Sequence, residues 1–193
     1  MNKMLMLMLA FVFALSLSTA YAQMTTGSPS GRDTTRSQTT PLSKSDHDFL
    51  IKAAQGGMAE VEFGKLAASK ATDEQVKEMG RKLVDDHTKA NDRLMSIAQS
   101  KGVTLPTGLS KADQKELDKL SRVSGKDFDK AFLNQVKKDH EKDISLFKKE
   151  AKDGKDPDLR AFASQTLPAL ESHLTMAKDM STGRSHSASS RQY

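Results

Sequence analysis

Four stretches of this chain each carry a stripe of apolar residues spaced in alternating steps of three and four. The clearest stripe runs from Val76 to Leu94, where Met79, Leu83 and Ala90 keep the spacing. Steps of three and four place side chains on one face of an α-helix. The sequence therefore predicts four long amphipathic helices. Such helices can bury their stripes only against one another, so the pattern favours an all-α helical bundle.

One ionisable residue interrupts each stripe near its middle. In the second stripe it is His87, which falls in step with the apolar residues around it, and the other three are Glu60, His140 and His173. Mid-helix positions of neighbouring helices lie at similar depths in a bundle. We therefore expect these four side chains to face a common core.

Capping residues and glycines predict where the first two helices begin and end. The first helix is predicted from Ser45 to about Lys70. Thr72 and Gln75 have the spacing of a capping box, which predicts the start of the second helix after a very short turn. Gly102 predicts its end. Two helices joined by so short a turn are expected to be antiparallel neighbours.

The last two long helices are predicted by the same signals. The third runs from about Asp127 to Lys152, and Asp156 then caps the fourth. Pro157 takes the first position of that helix, where a missing N–H costs nothing. Pro168 lies in its interior and is expected to kink or break it, because proline removes one backbone hydrogen bond and clashes with the preceding turn.

The connection between the second and third long helices is much longer than the other two. Residues 103–126 contain Pro106 and Gly108, followed by a short helix predicted from Ser110 to Leu120. A connection of this length is not a hairpin turn. It predicts a crossover that travels the length of a four-helix bundle.

Both ends of the chain differ in composition from the middle. Residues 1–22 contain one charge, Lys3, then an apolar run and small residues at Ala20 and Ala22, which predicts a signal peptide cleaved after Ala22. The apolar run is too short to span a bilayer, and no later stretch qualifies. Residues 23–43 and 181–193 are polar and predicted to be disordered, which leaves 44–180 as one folded domain. We expect an exported protein, periplasmic or secreted, with no transmembrane segment in the mature chain.

The charge balance limits the partners that the mature protein can have. Loss of Lys3 reduces 30 basic residues to 29, against 25 acidic ones, so the net charge falls from +5 to +4. These charges are interspersed along the helices, and we therefore expect no nucleic-acid surface. The chain has no cysteine, which excludes disulfides and thiolate metal sites. We expect a monomer or a weakly self-associating protein.

The residue types that interrupt the stripes are those of metal sites. Three imidazoles and a carboxylate suit zinc, iron or manganese, and facing helices of a bundle are a common place for such a site. A buried, unpaired Glu60 would be costly, so it needs a cation, a proton or a hydrogen-bond donor. Asp86 and Asp139 directly precede His87 and His140 and are expected to flank the site, either orienting an imidazole or remaining plain surface charges.

Three hypotheses about function follow from these residues. The first is a divalent metal site formed by Glu60, His87, His140 and His173, and the second is a metal-free structural or interaction module of the cell envelope with a buried Glu/His polar network. The third is a hydrolase or redox enzyme built on the same residues. No nucleophile elbow and no glycine-rich phosphate loop is present in the sequence, which favours a protein without enzymatic activity.

Three segments of the chain resemble a known family. They are 58–67, the Asp-His-Thr segment at 86–91, and 166–174, which contains Leu-Pro and His-Leu. Over about 46–180 the chain resembles the exported bacterial domain-of-unknown-function 4142 family, which is similar to the ferritin-like superfamily. The resemblance implies a ferritin-like four-helix bundle with one long crossover, and it implies no particular activity.

The di-iron pattern of that superfamily requires a glutamate three residues before a histidine. Val84, Lys137 and Leu170 stand there instead, so ferroxidase chemistry is not implied.

Overall fold

The computed structural model describes residues 41–183, and five α-helices and no strands occur in that range. The helices are α1 Lys44–Lys70, α2 Glu74–Ser100, α3 Lys111–Ser121, α4 Gly125–Asp153 and α5 Pro157–Ser181. The predicted all-α bundle is confirmed. None of these helices is both long enough and apolar enough to cross a membrane. The predicted signal peptide, almost all of the predicted leader and most of the predicted tail lie outside the described residues.

The first two helices begin at residues other than those predicted to cap them. Ser43, not Ser45, caps α1, and its hydroxyl accepts a hydrogen bond from the backbone N–H of Asp46 at 3.1 Å. Asp73, not Thr72, caps α2 and accepts from the backbone N–H two residues further on. The predicted capping box was therefore wrong by one residue. The predicted caps of the short helix and of the last helix are confirmed.

Two buried aspartates tie the helix pairs together at opposite ends of α1. Asp129 on α4 accepts hydrogen bonds from the backbone N–H and the hydroxyl of Thr72, at 2.9 and 2.5 Å. Asp46 on α1 accepts from the backbone N–H groups of Lys155 and Asp156, in the turn between α4 and α5, at 2.9 and 3.0 Å. The start of α1 therefore meets the end of α4, and these two helices run antiparallel. The bond to Asp129 also explains why Thr72 does not cap α2.

Close packing joins α1 to α2 at two glycines. A Cβ atom built on Gly64 would lie 2.6 Å from the carbonyl oxygen of Gly80, and one built on Gly80 would lie 2.7 Å from the carbonyl oxygen of Gly64. Backbone atoms can yield to such a contact only if the helices move apart, so glycine is the residue that fits this packing.

The core consists of two hydrophobic clusters, one toward each end of the bundle. Phe63, Met79 and Phe128 lie in the first cluster. Phe49 and Phe162 lie in the second. Along α2, α4 and α5, residues of the first cluster lie on one side of the histidine in sequence and residues of the second cluster lie on the other side. The polar residues therefore form a middle layer with apolar side chains above and below.

The connection and the last helix complete the architecture. α3 lies in the long connection and contacts both α1 and α4. A crossover along the full length of the bundle stays a prediction. α5 is one continuous helix through Pro168, so of the two predicted outcomes the break does not occur and the kink stays a prediction. Packing of α5 against α4 and α2 holds the helix together despite the lost backbone hydrogen bond.

Candidate metal centre

Three histidines from three helices converge in the middle layer of the bundle. One ring nitrogen of each of His87, His140 and His173 lies within 4.8 Å of the others. Their ring centroids are 5.2 to 5.5 Å apart. The side chains are 5%, 0% and 1% exposed, respectively. Across residues 41–183, no other group of three or more histidines and acidic residues has this geometry.

His140 and His173 face each other through their inner nitrogens. His140 Nε2 and His173 Nδ1 are 3.2 Å apart. The outer nitrogen of His140, Nδ1, lies 3.0 Å from the carbonyl oxygen of Val136, and the outer nitrogen of His173, Nε2, lies 2.9 Å from a carboxylate oxygen of Asp86. Oxygens of these two kinds only accept hydrogen bonds, so each outer nitrogen must carry the proton of its ring. Both inner nitrogens are then left with lone pairs.

Burial keeps all three rings in the neutral form. Desolvation lowers the pKa of His140 to about 3, with a further contribution from neighbouring His173. Desolvation, followed by the other two histidines, lowers the pKa of His87 well below its ordinary value. The pKa of His173 is also lowered by burial, although the bond to Asp86 opposes that shift. Two neutral rings therefore present lone pairs to each other at 3.2 Å, an arrangement that a cation between them stabilises.

The spacing of the inner nitrogens fits a metal ion. Imidazole nitrogens lie about 2.0 to 2.1 Å from zinc, so two of them in a tetrahedral site are about 3.3 Å apart. The separation of 3.2 Å between His140 Nε2 and His173 Nδ1 matches this value. The largest separation in the group is no more than 4.8 Å. A shift of up to about 1.5 Å, within reach of a side-chain rotation, closes that distance to a tetrahedral one.

His87 completes the group and has no partner of its own. Its Nε2 atom is buried, and no hydrogen-bond partner for it is found among the described residues. The ring borders a cavity of about 10 Å³ that is also lined by Asp143 and Thr166. A cavity of this size is at the lower limit for a water molecule. A metal ion would give this nitrogen the partner that the described residues do not supply.

Glu60 lies behind His140 and does not join the three nitrogens. Its side chain is 1% exposed, and Oε1 is 3.6 Å from Nδ1 of His140, which is the outer nitrogen of that ring. This distance is too long for a hydrogen bond. Burial, followed by the nearby Asp139 and Asp143, raises the pKa of Glu60 well above its ordinary value. All four side chains that were expected to face a common core are buried in it, but only the three histidines bring possible ligand atoms together.

The two aspartates expected to flank the site behave differently from each other. Asp86 binds Nε2 of His173 and also pairs with Lys82 at 2.9 Å. Burial alone would raise the pKa of Asp86, but the bonds from Lys82 and His173 outweigh it and lower the pKa. Asp86 therefore orients an imidazole. Asp139 instead accepts a hydrogen bond from Gln135 at 2.6 Å and lies on the wall of a separate pocket.

That pocket contains two acidic residues that reasoning from the sequence missed. It has a volume of about 170 Å³, and its ionisable lining residues are Glu60, Asp113, Asp139, Asp143, Lys52 and Lys142. Burial raises the pKa of Asp143 to about 7, and Asp139 adds to the rise. Asp143 lies three residues after His140, so the helical spacing could have indicated that both share a face. Asp113 belongs to α3, and no signal in the sequence placed it there.

The described residues thus place this protein among all-α helical bundles and give it a buried group of three histidines. Residues 31–180 match the family described as "Domain of unknown function (DUF4142)". The chain belongs to this family. A comparison with curated proteins found no significant match.

Solved structures with the same fold include members of another family. A DUF305 fragment from Deinococcus radiodurans matches with a TM-score of 0.66 and 10% identity, covering 75% of this chain and 99% of that chain. A DUF305 protein from Streptomyces coelicolor, described as secreted, matches with a TM-score of 0.63 and 14% identity, covering 72% and 93%. CopM in the Cu(I)-bound form matches with a TM-score of 0.61 and 14% identity, covering 72% and 96%. At such identities the likeness shows the fold alone.

Proposed function

We propose that this chain is an exported helical-bundle protein that binds one transition metal ion through His87, His140 and His173. The observation that carries the proposal is the pair of inner nitrogens, 3.2 Å apart, on His140 and His173. Their outer nitrogens are already engaged by Val136 and Asp86. A histidine ligand whose second nitrogen donates to a carbonyl or a carboxylate is the usual arrangement in metal sites, because that bond fixes the ring and raises its basicity.

The donor set selects a class of metal. Imidazole nitrogens suit zinc, copper, iron and nickel, whereas manganese prefers oxygen ligands. Of the metals expected from the sequence, zinc and iron therefore fit the three histidines better than manganese. Copper also suits imidazole nitrogens. CopM, a neighbour with the same fold, is described in a Cu(I)-bound form, which supports testing copper here. The three ligands leave a fourth position of a tetrahedral ion open for a small molecule or for a ligand from a partner.

One observation favours a metal-free alternative. A separation of 3.2 Å between two ring nitrogens is also a hydrogen-bond distance, and one additional proton shared by His140 and His173 would satisfy the pair. In that case the middle layer is a polar core network, and the protein is a structural or interaction module of the cell envelope. A buried positive charge is costly, but the carboxylate of Asp86 beside His173 lowers the cost.

Metal analysis of protein purified without a histidine tag separates these two functions. We expect about one equivalent of zinc, copper or iron per chain, lost when His140 or His173 is replaced by alanine. The exposed His47 provides a matched control, since His47→Ala removes an imidazole from the surface of α1. Less than about 0.1 equivalent in the wild type after dialysis against each metal would establish the metal-free alternative.

Export is part of the proposal and has its own test. The apolar run and Ala20-Tyr21-Ala22 support cleavage after Ala22, and the neighbour from Streptomyces coelicolor is described as secreted. Mass spectrometry of protein recovered from the cell envelope or the medium is expected to find a chain that starts at Gln23. Recovery of the full-length chain from the cytoplasm alone would contradict export.

A further inference from the structure

An acidic pocket opens beside the three histidines. We use this name for the pocket lined by Glu60, Asp113, Asp139 and Asp143. Its carboxyl groups come from three helices, α1, α3 and α4, so it is formed by the tertiary fold and not by one run of sequence. Two lysines, at positions 52 and 142, also line it, which leaves acidic groups in excess. The volume of the pocket, about 170 Å³, is large enough for several water molecules.

Glu60 is the innermost acidic group of this pocket, and its carboxyl group has no partner. It is 1% exposed, and neither Oε1 nor Oε2 has a hydrogen-bond partner among the described residues. A buried carboxyl group without a donor is costly. Placing such a group on the inner wall of a pocket rich in acidic residues is unfavourable for the fold alone. A proton on Glu60 or a cation in the pocket would offset this cost.

The acidic pocket and the histidine centre share walls. Asp143 lines the acidic pocket and also the small cavity against the ring of His87. Glu60 lines the acidic pocket and lies 3.6 Å from the ring of His140. The side chains of Asp143 and Glu60 therefore separate the pocket from the rings of His87 and His140. The shortest path from this pocket to an imidazole passes Asp143 and then the small cavity at His87.

Electrostatics favours a positively charged ligand on this route. Carboxylates that line a concave, low-dielectric wall concentrate their field inside it and raise the local concentration of cations. Divalent metal ions arrive from solution with a shell of water, and carboxylate oxygens are ligands for zinc as well as for harder ions. Across residues 41–183, only the three histidines meet the geometry of a direct three-ligand site. The acidic pocket therefore suits a hydrated ion in transit better than a permanently bound one.

We propose that the acidic pocket captures a hydrated divalent cation and passes it to the three histidines by way of His87. This inference rests on the proposed metal-binding function and adds the route by which the ion reaches the buried ligands. Asp139 and Asp143 attract the ion at the mouth of the pocket. Glu60 adds acceptor oxygens on the inner wall, and Asp143, which also borders the cavity at His87, leads the ion to the imidazole nitrogens.

The rate of metal uptake tests the route. Co²⁺ is a suitable probe, because its visible absorption reports binding to imidazole ligands in a stopped-flow experiment. We expect the double variant D139N/D143N to take up Co²⁺ at least about tenfold more slowly than the wild type at low ionic strength. The stoichiometry is expected to stay at one ion per chain. Uptake by the wild type is also expected to slow as salt is added, and uptake by the variant to be less sensitive to salt.

The matched control is D92N/D118N, which removes the same two charges from exposed positions outside the acidic pocket. Its uptake rate is expected to stay within about twofold of the wild-type rate. Equal uptake rates for the two double variants would overturn the proposed route. So would a change confined to the rate of release, since that would mean the pocket only stabilises the bound ion. If the wild type takes up no Co²⁺, the proposed function itself fails, and that result is distinct from failure of the route.

Discussion

The bond between Asp86 and His173 is the residue-level feature that most influences metal affinity. Asp86 holds the outer nitrogen of His173 at 2.9 Å and so directs the lone pair of Nδ1 toward His140. Asparagine at position 86 lacks the charge and can present an N–H group to the ring. Loss of such an orienting partner typically weakens metal binding 10- to 100-fold.

We therefore expect Asp86→Asn to raise the dissociation constant for Zn²⁺ or Cu²⁺ by about 10- to 100-fold. Competition titration against a chelator of known affinity measures this change. The exposed neighbour Asp85 supplies the control, because Asp85→Asn removes the same charge one position away. Equal affinities for the two variants would mean that Asp86 does not orient a ligand.

Glu150 makes the stability of the fold depend on pH. It is 5% exposed, and burial together with neighbouring Asp46 raises its pKa from 4.5 to about 7. The folded chain therefore binds this proton more tightly than the unfolded chain does. The proton on Glu150 therefore contributes to the free energy of unfolding at low pH. This contribution decreases between about pH 4.5 and pH 7 and is absent above that range.

Glu150→Gln removes the group that ionises, so we expect this variant to be more stable than the wild type at pH 8 and equally stable at pH 4. The gain is on the order of 1 kcal/mol, because solvent near the end of α4 screens part of the interaction. Urea unfolding at the two pH values measures it. The exposed Glu141 is the control, and Glu141→Gln is expected to change stability by less than about 0.5 kcal/mol at either pH. A difference between wild type and Glu150→Gln that is the same at both pH values would contradict this account.

At the scale of elements, the crossing of α1 and α2 depends on Gly64 and Gly80. A Cβ atom at position 80 would lie 2.7 Å from the oxygen of Gly64 and 2.8 Å from the nitrogen of Ala68. Gly80→Ala gains up to about 1 kcal/mol in helix propensity but forces the two helices apart. We expect a net loss of about 1 to 3 kcal/mol in the free energy of unfolding, measured by urea denaturation.

Gly108 is the matched control for that substitution. A Cβ atom there would meet nothing within 4 Å, and Gly108 is not among the glycines with positive φ. Gly108→Ala is therefore expected to cause no loss of stability. Equal stabilities for Gly80→Ala and Gly108→Ala would show that the helices can separate without cost.

The elements were predictable from the sequence to the extent that local signals decide them. Apolar spacing predicted the four long helices, and Ser110 and Asp156 were recognised as caps because each is a good capping residue with no competing neighbour. At the start of α2, two adjacent residues can both cap. Asp129, which is distant in sequence, decides between them by binding Thr72. Choices of this kind depend on tertiary contacts and cannot be read from a local pattern.

The same limit applies to the candidate site. The three histidines were predictable because each falls in step with an apolar stripe. Glu60 also lies on an apolar stripe. The stripe does not show that its carboxyl group lies beside the outer nitrogen of His140, Nδ1, and not beside the inner one. Asp143 was missed because an acidic residue beside a buried stripe usually faces solvent. Only the packing of α1 and α3 against α4 shows that it lines a pocket.

At the scale of the whole molecule, the proposed metal links the two helix hairpins. His87 belongs to the α1–α2 pair, and His140 and His173 belong to the α4–α5 pair. An ion bound to all three therefore stabilises the association of the pairs. At a free metal concentration 100 times the dissociation constant, the stabilisation is about 2.7 kcal/mol, which for a domain of this size raises Tm by roughly 5 to 10 °C.

Thermal unfolding with added Zn²⁺ or Cu²⁺ measures this increase, and a chelator is expected to reverse it. His173→Ala is expected to lose most of it, whereas His47→Ala keeps all of it. An identical rise for both variants would place the ion elsewhere on the molecule. No rise in the wild type would favour the shared-proton network in the middle layer.

The ligands of the bound ion decide whether the three histidines form a metal centre. X-ray absorption spectroscopy of the zinc- or copper-loaded protein is expected to show three imidazole nitrogens at about 2.0 to 2.1 Å from the ion. His87→Ala is expected to reduce this number to two. A ligand shell composed mainly of oxygens, or one with fewer than two imidazoles in the wild type, would contradict a metal centre built on His87, His140 and His173.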